Sequence, residues 1–306
     1  MNNENDSSSL DQKVEKTEVK EMILNDYRIM MESREASLLG RREVLTGKAK
    51  FGIFGDGKEL AQLCLAKQFM DGDYRSGYYR DQTIMLALGE VTLQEYYAQL
   101  FSDTNVENEP HSAGRQMNCH YGTRFINDDG TWKDMTKIKI TTTDLSPTAA
   151  QMPRIMGLGL ASKLFREDKN LHQFATLSNN GNEIVFGTIG DGSTSEGIFL
   201  EAINAMGVLQ IPVVMSIWDD GHAISVPVEK QTTKGSISDA LKGFAKENGS
   251  NGIEILKARG WNYPELCAAY DKAAKIARKT HTPVLIHVVE LTQPQGHSTS
   301  GSHERY

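Results

Sequence analysis

The chain has 306 residues, 39% hydrophobic and 24% charged, with a formal net charge of -7; this suits a soluble globular protein with a substantial core, built as one large domain or two small ones. The negative balance gives no long-range attraction to nucleic acid or anionic lipid, so neither nucleic acid nor a membrane is an expected partner, although a local basic pocket still suits a small phosphate. Cys64, Cys119 and Cys267 are odd in number, far apart and without CxxC spacing, no apolar stretch reaches membrane-spanning length, and the N-terminus has no signal-peptide pattern; these features suggest neither a disulfide framework nor a zinc site and point to a cytoplasmic location.

In chain order, the first twenty residues, MNNENDSSSLDQKVEKTEVK, carry few large apolar side chains to offset the entropy of ordering, and a disordered lead-in over 1–20 is predicted. From Glu21 the spacing of Met22, Ile23, Tyr27, Met30, Met31 and Leu38 predicts a long amphipathic helix. Shorter helices are predicted at about 58–70 and 92–101. Residues 107–144 are rich in Gly, Asn, Asp and Thr with weak periodicity, which reads as a long loop lying over another part of the fold. Beyond Thr148 the pattern predicts a helix at 149–165, a strand at 184–189, a helix at 195–209, strands at 212–218 and 253–258, a helix at 263–279 and a strand at 284–291. Such alternation predicts an α/β fold: a doubly wound, mostly parallel sheet with helices on both faces, whose ligands bind beyond the carboxyl ends of the strands.

Two turns fall at such strand ends, Gly190-Asp191-Gly192 and Asp219-Asp220-Gly221. The glycines allow a tight turn and close approach of a ligand. Ser193, Thr194 and Ser195 open the next helix, whose N-terminus favours a phosphate oxygen. Asp191 and Asp220 supply hard oxygen ligands of the kind a divalent cation shares with phosphates and water. Residue types alone leave two readings open: a pair of polar turns, since Asp and Gly are common turn formers, or a metal site that holds a diphosphate.

The stretch GDGSTSEGIFLEAINAMGVLQIPVVMSIWDDGHAISVP at 190–227, with its second acidic position 29 residues after Asp191, resembles the diphosphate-and-metal motif of thiamine diphosphate enzymes. It is most similar to the α subunit of the 2-oxo acid dehydrogenase E1 component, and the resemblance runs from about Tyr27 to the last residue. GDYRSGYYRDQTIMLALG at 72–89 resembles the family segment that reaches the cofactor phosphates, which maps to Tyr79 and Arg80. GRQMNCHYG at 114–122 resembles the branched-chain members, and LSPTAAQMP at 145–153 the segment that passes the aminopyrimidine ring through Ser146 and Thr148. GHSTSGSHERY at 296–306 resembles the mobile active-site loop whose histidine, here His297, approaches the cofactor.

The resemblance implies the thiamine diphosphate-binding fold over 21–306, a thiamine diphosphate cofactor held by Gly190, Asp191, Gly192, Ser193, Tyr79, Arg80, Ser146, Thr148, Asp220 and His297, and a Mg²⁺ ion on Asp191, Asp220 and the backbone of His222. It implies oxidative decarboxylation of a small 2-oxo acid, branched-chain or pyruvate-like, with His297 as catalytic residue and acyl transfer to a lipoylated acyltransferase. A ring-activating glutamate is expected from a β-type E1 subunit or domain, in a heterotetramer or other oligomer. Nothing in this chain resembles that domain or the usual C-terminal helical extension, so the active site is expected to be incomplete, in a piece of an α-β fusion or a shortened subunit. An acetoin-cleaving thiamine enzyme and a non-catalytic cofactor-binding assembly module are the alternatives.

Several positions depart from the family pattern. Asp219 and Asp220 stand where an Asn pair is usual, so added negative charge is expected beside the diphosphate unless Arg80 or His297 compensates. His222 stands for a Tyr, Trp218 for an acid or an arginine, and Ala150 for a Thr that serves a monovalent cation. A second Gly-Asp-Gly, at 55–57, reads as a loop and helix start away from the site, because the position 29 residues beyond Asp56 is Met85. His120 reads as a packing or hydrogen-bonding residue, and His303 has no motif support.

Overall fold

The computed structural model describes residues 4–247 and 249–299. Its N-terminal half holds the helices α1 (Glu4–Leu45), α2 (Glu59–Ala66), α3 (Gln82–Leu88) and α4 (Leu93–Leu100), with β1 (Tyr74–Ser76) between α2 and α3 and β2 (Ile140–Thr141) after α4. The C-terminal half alternates: α5 (Met152–Glu167), β3 (Val185–Gly190), α6 (Gly197–Leu209), β4 (Val213–Trp218), the small pair β5 (His222–Ala223) and β6 (Val226–Pro227), α7 (Ile237–Ala240), β7 (Glu254–Arg259), α8 (Tyr263–Thr280) and β8 (Val284–Val289).

Six strands form one sheet in the order β2-β1-β3-β4-β8-β7, and every pairing in it is parallel. Pleating sends alternate residues to opposite faces. Val213, Met215 and Ile217 of β4 join Ile155 of α5 and Phe199, Ile203 and Met206 of α6 in one apolar cluster. Val214 and Trp218 of the same strand join Cys64 and Leu65 of α2 and Leu266, Tyr270 and Ala273 of α8 in another. Burial on both sides explains why these strands are apolar throughout, and the doubly wound parallel sheet expected from the alternation is the one observed.

Two corrections apply to the predicted elements. Helix α1 begins at Glu4, so the predicted disordered lead-in over 1–20 is helix over nearly its whole length. Glu, Lys, Gln and Leu form helices well without burying anything, and Val19, Met22 and Ile23 are indeed exposed. The segments 72–76 and 140–141 also carry strands that periodicity did not mark. Two or three residues are too few for alternation to register, and both strands are specified by pairing, Tyr74 with Ile140 and with Val185.

These short strands carry a buried ionic cluster. Arg75 of β1 is fully enclosed, and its guanidinium donates to Asp81 (2.8 Å) and to both oxygens of Asp144 (3.0 and 3.1 Å). Asp81 also accepts from the Trp218 indole (3.3 Å) and the Tyr78 backbone N–H (3.3 Å). Asp144 accepts from the Tyr121 N–H (3.1 Å). Space is so tight that a Cβ on Gly77 would lie 1.9 Å from the Asp81 carboxylate. Because loss of one partner strands a buried charge, Asp81→Ala should lower the unfolding free energy by ~3–5 kcal/mol. Urea denaturation measures this, and a loss near zero would show that the cluster is not a structural anchor.

Candidate active site

Register sets the site. Gly190 at the end of β3 lies beside Trp218 at the end of β4, so the two acidic turns leave the sheet side by side. Above them lies a cleft of about 350 Å³ whose lining includes Tyr79, Arg80, Ser146, Thr148, Gly190, Asp191, Gly192, Ser193, Asp220, His222 and His297. Every cofactor or metal ligand that the resemblance implied thus borders one cavity, whereas Thr194, Ser195 and Asp219 do not line it. A larger hollow of about 740 Å³ runs along α1, lined by apolar residues with Arg and Glu of the same helix. The buried carboxylates of the strand ends belong to the smaller cleft, so the chemistry is sought there.

Asp191 is strongly perturbed. It is only 4% exposed, its Oδ2 has no hydrogen-bond partner, and burial, reinforced by the charges of Asp220 and Asp219, pushes its carboxyl up to about 8. A buried carboxylate oxygen left bare toward a cleft costs free energy unless a proton or a cation satisfies it. Tyr78 presents a second orphaned buried oxygen in the same lining. The residues after Asp191 depart slightly from expectation: Gly192–Ser195 form a 3₁₀ turn, and α6 starts only at Gly197. Ser193 and Thr194 therefore sit on a tight turn over the strand end and not in the first helical turn, because the Thr194 hydroxyl and N–H both bond back to the Asp191 carbonyl.

The added charge of Asp219 and Asp220 is met, though not by the groups the sequence suggested. Asp220 pairs with Lys58 Nζ at 2.8 Å, and the same ammonium donates to the Thr292 carbonyl (3.0 Å) and Gln293 Oε1 (2.8 Å). Lys58 is 1% exposed; burial lowers its pKa and Asp220 opposes that shift. Asp219 binds His287 Nε2 at 2.7 Å and the Gly221 N–H at 2.9 Å. Burial alone would raise Asp219, but His287 holds it below the ordinary carboxylate range. The second Gly-Asp-Gly segment, read as remote from the site, is thus corrected. It carries Lys58 into the cleft, and Asp56 accepts from Gln293 Nε2 (3.0 Å) and the Gln295 N–H (3.2 Å) of the segment leading to His297. No sequence pattern marked Lys58, since its counter-ion lies 162 residues away.

Arg80 does not extend free into the cleft. One guanidinium nitrogen donates to the Phe54 carbonyl (2.8 Å), and another faces His297 Nδ1 and its carbonyl, both at 3.0 Å. An arginine only donates, so Nδ1 accepts and the single proton of the neutral imidazole resides on Nε2. Burial first, then Arg80, lowers His297 to about 4, keeping it neutral at pH 7. Tyr79 lies edge-on to His297 and stacks on His120, and His120 Nε2 lies 2.9 Å from Ser146 Oγ. His120 is thus a buried hydrogen-bonding residue, as its residue type suggested. Residues 300–306, including His303 and most of the predicted loop, lie outside the described residues.

A family model described as "Dehydrogenase E1 component" matches residues 27–306, and the chain belongs to this family. It is 30% identical over 268 residues to the 2-oxoisovalerate dehydrogenase subunit alpha of Bacillus subtilis, covering 86% of this chain and 68% of that one. With the mitochondrial 2-oxoisovalerate dehydrogenase subunit alpha 1 of Arabidopsis thaliana it shares 29% identity, over 85% of this chain and 47% of the other. Among solved structures, transketolase from Pichia stipitis superposes with a TM-score of 0.57 at 15% identity, over 89% of this chain and 38% of that chain, a likeness of fold alone. The chain therefore spans about half of the plant relative and a smaller share of transketolase.

Two outcomes test this geometry. Lys58→Met and Asp220→Asn should each destabilise the protein, and the double variant by less than their sum, with a coupling of about 0.5–3 kcal/mol; additive losses in a double-mutant cycle would break the assigned pair. For His297 the folded pKa lies below the unfolded value, so the unfolded chain binds more protons between about pH 6.5 and about pH 4. Its contribution to stability is complete above that window and lost as pH falls through it. His281 is lowered to about 4 as well, so His297→Gln should reduce the acid-side slope of stability against pH without abolishing it. An unchanged slope in denaturation series would count against a buried, neutral His297.

Proposed function

We propose that this chain is the α-type component of a thiamine diphosphate-dependent 2-oxo acid dehydrogenase acting on a branched-chain substrate, as the names of its relatives suggest. The observation that carries the reading is the bare, buried Oδ2 of Asp191, pushed up to about 8 beside Asp220. Mg²⁺ in contact with that oxygen would remove both the unmet acceptor and the need for a proton. Among the described residues no group of three or more His, Cys, Asp and Glu side chains is gathered as a metal cage. An ion here would therefore be shared with ligand phosphates, which suits Asp191 and Asp220 as partial ligands, with the His222 backbone as third.

Bound thiamine diphosphate supplies the carbanion chemistry that lets a 2-oxo acid lose carbon dioxide. The chain's own residues position and polarise. Gly190, Gly192 and Ser193 leave room for a diphosphate at the strand end, Tyr79 borders the same cleft on the phosphate side of the expected cofactor, and Ser146 and Thr148 would border its ring. Lys58 offsets Asp220, so the cleft can hold a cation and a dianionic ligand without a surplus of unpaired carboxylates. Arg80 pins the segment around His297 and fixes its tautomer, leaving Nε2–H as a donor for charge that develops on a substrate oxygen. The pairing of Asp220 also weakens the case for a non-catalytic module, which rested on uncompensated charge there.

By the same reading, residues 21–306 form the diphosphate-and-metal domain, a β-type partner supplies the ring-activating glutamate in a heterotetramer, and a lipoylated acyltransferase accepts the acyl group. Among the described residues no helix is long and apolar enough to cross a membrane, which agrees with a cytoplasmic location. Titration calorimetry should show Mg²⁺-dependent binding of thiamine diphosphate by the chain with its β-type partner. Asp191→Ala should abolish that binding, whereas Asp103→Ala at an exposed turn should leave it intact. Equal affinities for Asp191→Ala and the unaltered protein would refute the proposed site.

A further inference from the structure

Away from the cleft, α1, α2 and α8 converge on a compact polar knot. Lys67, at the end of α2, places Nζ 3.1 Å from the Tyr263 hydroxyl of α8, and both groups bond the carboxylate of Asp26 of α1. Beside it, Cys64 of α2 and Cys267 of α8 bring their sulfur atoms to 3.5 Å, although 203 residues separate them in the chain. Cys64 is fully buried, whereas Cys267 is partly open to solvent. Cys64 and Lys67 are three apart on α2, and Tyr263 and Cys267 four apart on α8, so each pair shares a helix face. Neither the spacing nor the number of the cysteines in the sequence suggests this juxtaposition.

The surroundings separate the two thiols chemically. The Cys267 sulfur shares a hydrogen bond with Cys64 and faces the Lys67 ammonium and the Tyr263 hydroxyl; these outweigh burial and the Asp26 charge and hold it below the usual thiol range. Cys64, which keeps its proton against Cys267 in a buried position, is raised. This is a partly accessible, thiolate-prone cysteine backed by a buried second thiol within reach, the arrangement that oxidation by peroxide selects. Cys119 is different: it is fully buried against Asn118 and Gln82 and pushed up to about 12 by burial.

We propose that Cys267 and Cys64 are a peroxide-reactive pair that closes to a disulfide linking α2 to α8, with hydrogen peroxide as oxidant. In the first step the Cys267 thiolate attacks one peroxide oxygen, an S–O bond forms, the O–O bond breaks, and the hydroxide released takes a proton to become water. In the second, the Cys64 sulfur attacks the Cys267 sulfenic acid. An S–S bond forms, the S–O bond breaks, and the departing hydroxide takes the Cys64 proton as a second water. Two thiols are oxidised and one peroxide is reduced to two waters. A small dithiol reverses the reaction by exchange.

The test uses the reduced full-length protein, titrated with hydrogen peroxide under native conditions, then alkylated, digested and weighed. One peptide pair joined through Cys64 and Cys267, lighter by two hydrogens, should accumulate while Cys119 remains alkylated, and dithiothreitol should restore both free thiols. In Cys64→Ser the reaction should stop at a Cys267 sulfenic acid that dimedone captures. The proposal is overturned if Cys267 is oxidised in the unaltered protein while Cys64 stays a free thiol, if Cys119 is consumed as fast as Cys267, or if the only disulfides join separate chains.

Discussion

The site depends on a buried positive charge. Arg75 stands on a strand of three residues, too short to hold its place by backbone pairing alone, and its guanidinium is shared between Asp81 and Asp144. Asp81 closes the loop that carries Tyr78, Tyr79 and Arg80, and through the Trp218 indole it ties that loop to the end of β4. Asp144 fixes Tyr121 next to His120, and two residues further on comes Ser146. Three stretches from distant parts of the chain thus converge on one cleft through a single side chain. An enclosed ion cluster of this kind contributes little net stability compared with a well-packed apolar replacement, but it permits few alternative arrangements.

Charge balance in the cleft follows the same logic. Asp219, Asp220 and Asp191 lie at adjoining strand ends, where three uncompensated carboxylates would repel one another. Asp219 is taken up by His287 of β8, and Asp220 by Lys58 at the start of α2. Asp191 alone is left with an unmet oxygen. The asymmetry distinguishes chemically identical side chains: two are paired with cations of the fold, and one keeps a buried oxygen without a partner.

Much of this was legible in the sequence where the signal was local. The apolar runs at 184–189 and 212–218 needed only pleating and two-sided burial to become β3 and β4, and the helix predicted at 263–279 is α8, whose start the Asn262 side chain caps by accepting from the Glu265 N–H. The cleft residues were found through motifs, each of which keeps its chemistry within a few positions. What escaped was long-range. The Lys58–Asp220 pair, the Asp219–His287 pair and the Cys64–Cys267 contact each join residues 68 to 203 positions apart, and no period or spacing encodes such a meeting. The first part of helix α1, before Glu21, escaped for another reason: residues of good intrinsic helix propensity extend a helix without the apolar stripe that marks a buried one.

The Lys58–Asp220 contact also bears on how this site can change over generations. An asparagine at 220 would leave an enclosed ammonium without its counter-charge, and a neutral residue at 58 would leave the Asp220 carboxylate unpaired near Asp191. Either step taken alone passes through a less stable intermediate. The two positions therefore form one heritable unit, free to drift as a pair and constrained singly, and the acidic turn at 219–220 is tied to a lysine 162 residues earlier in the chain.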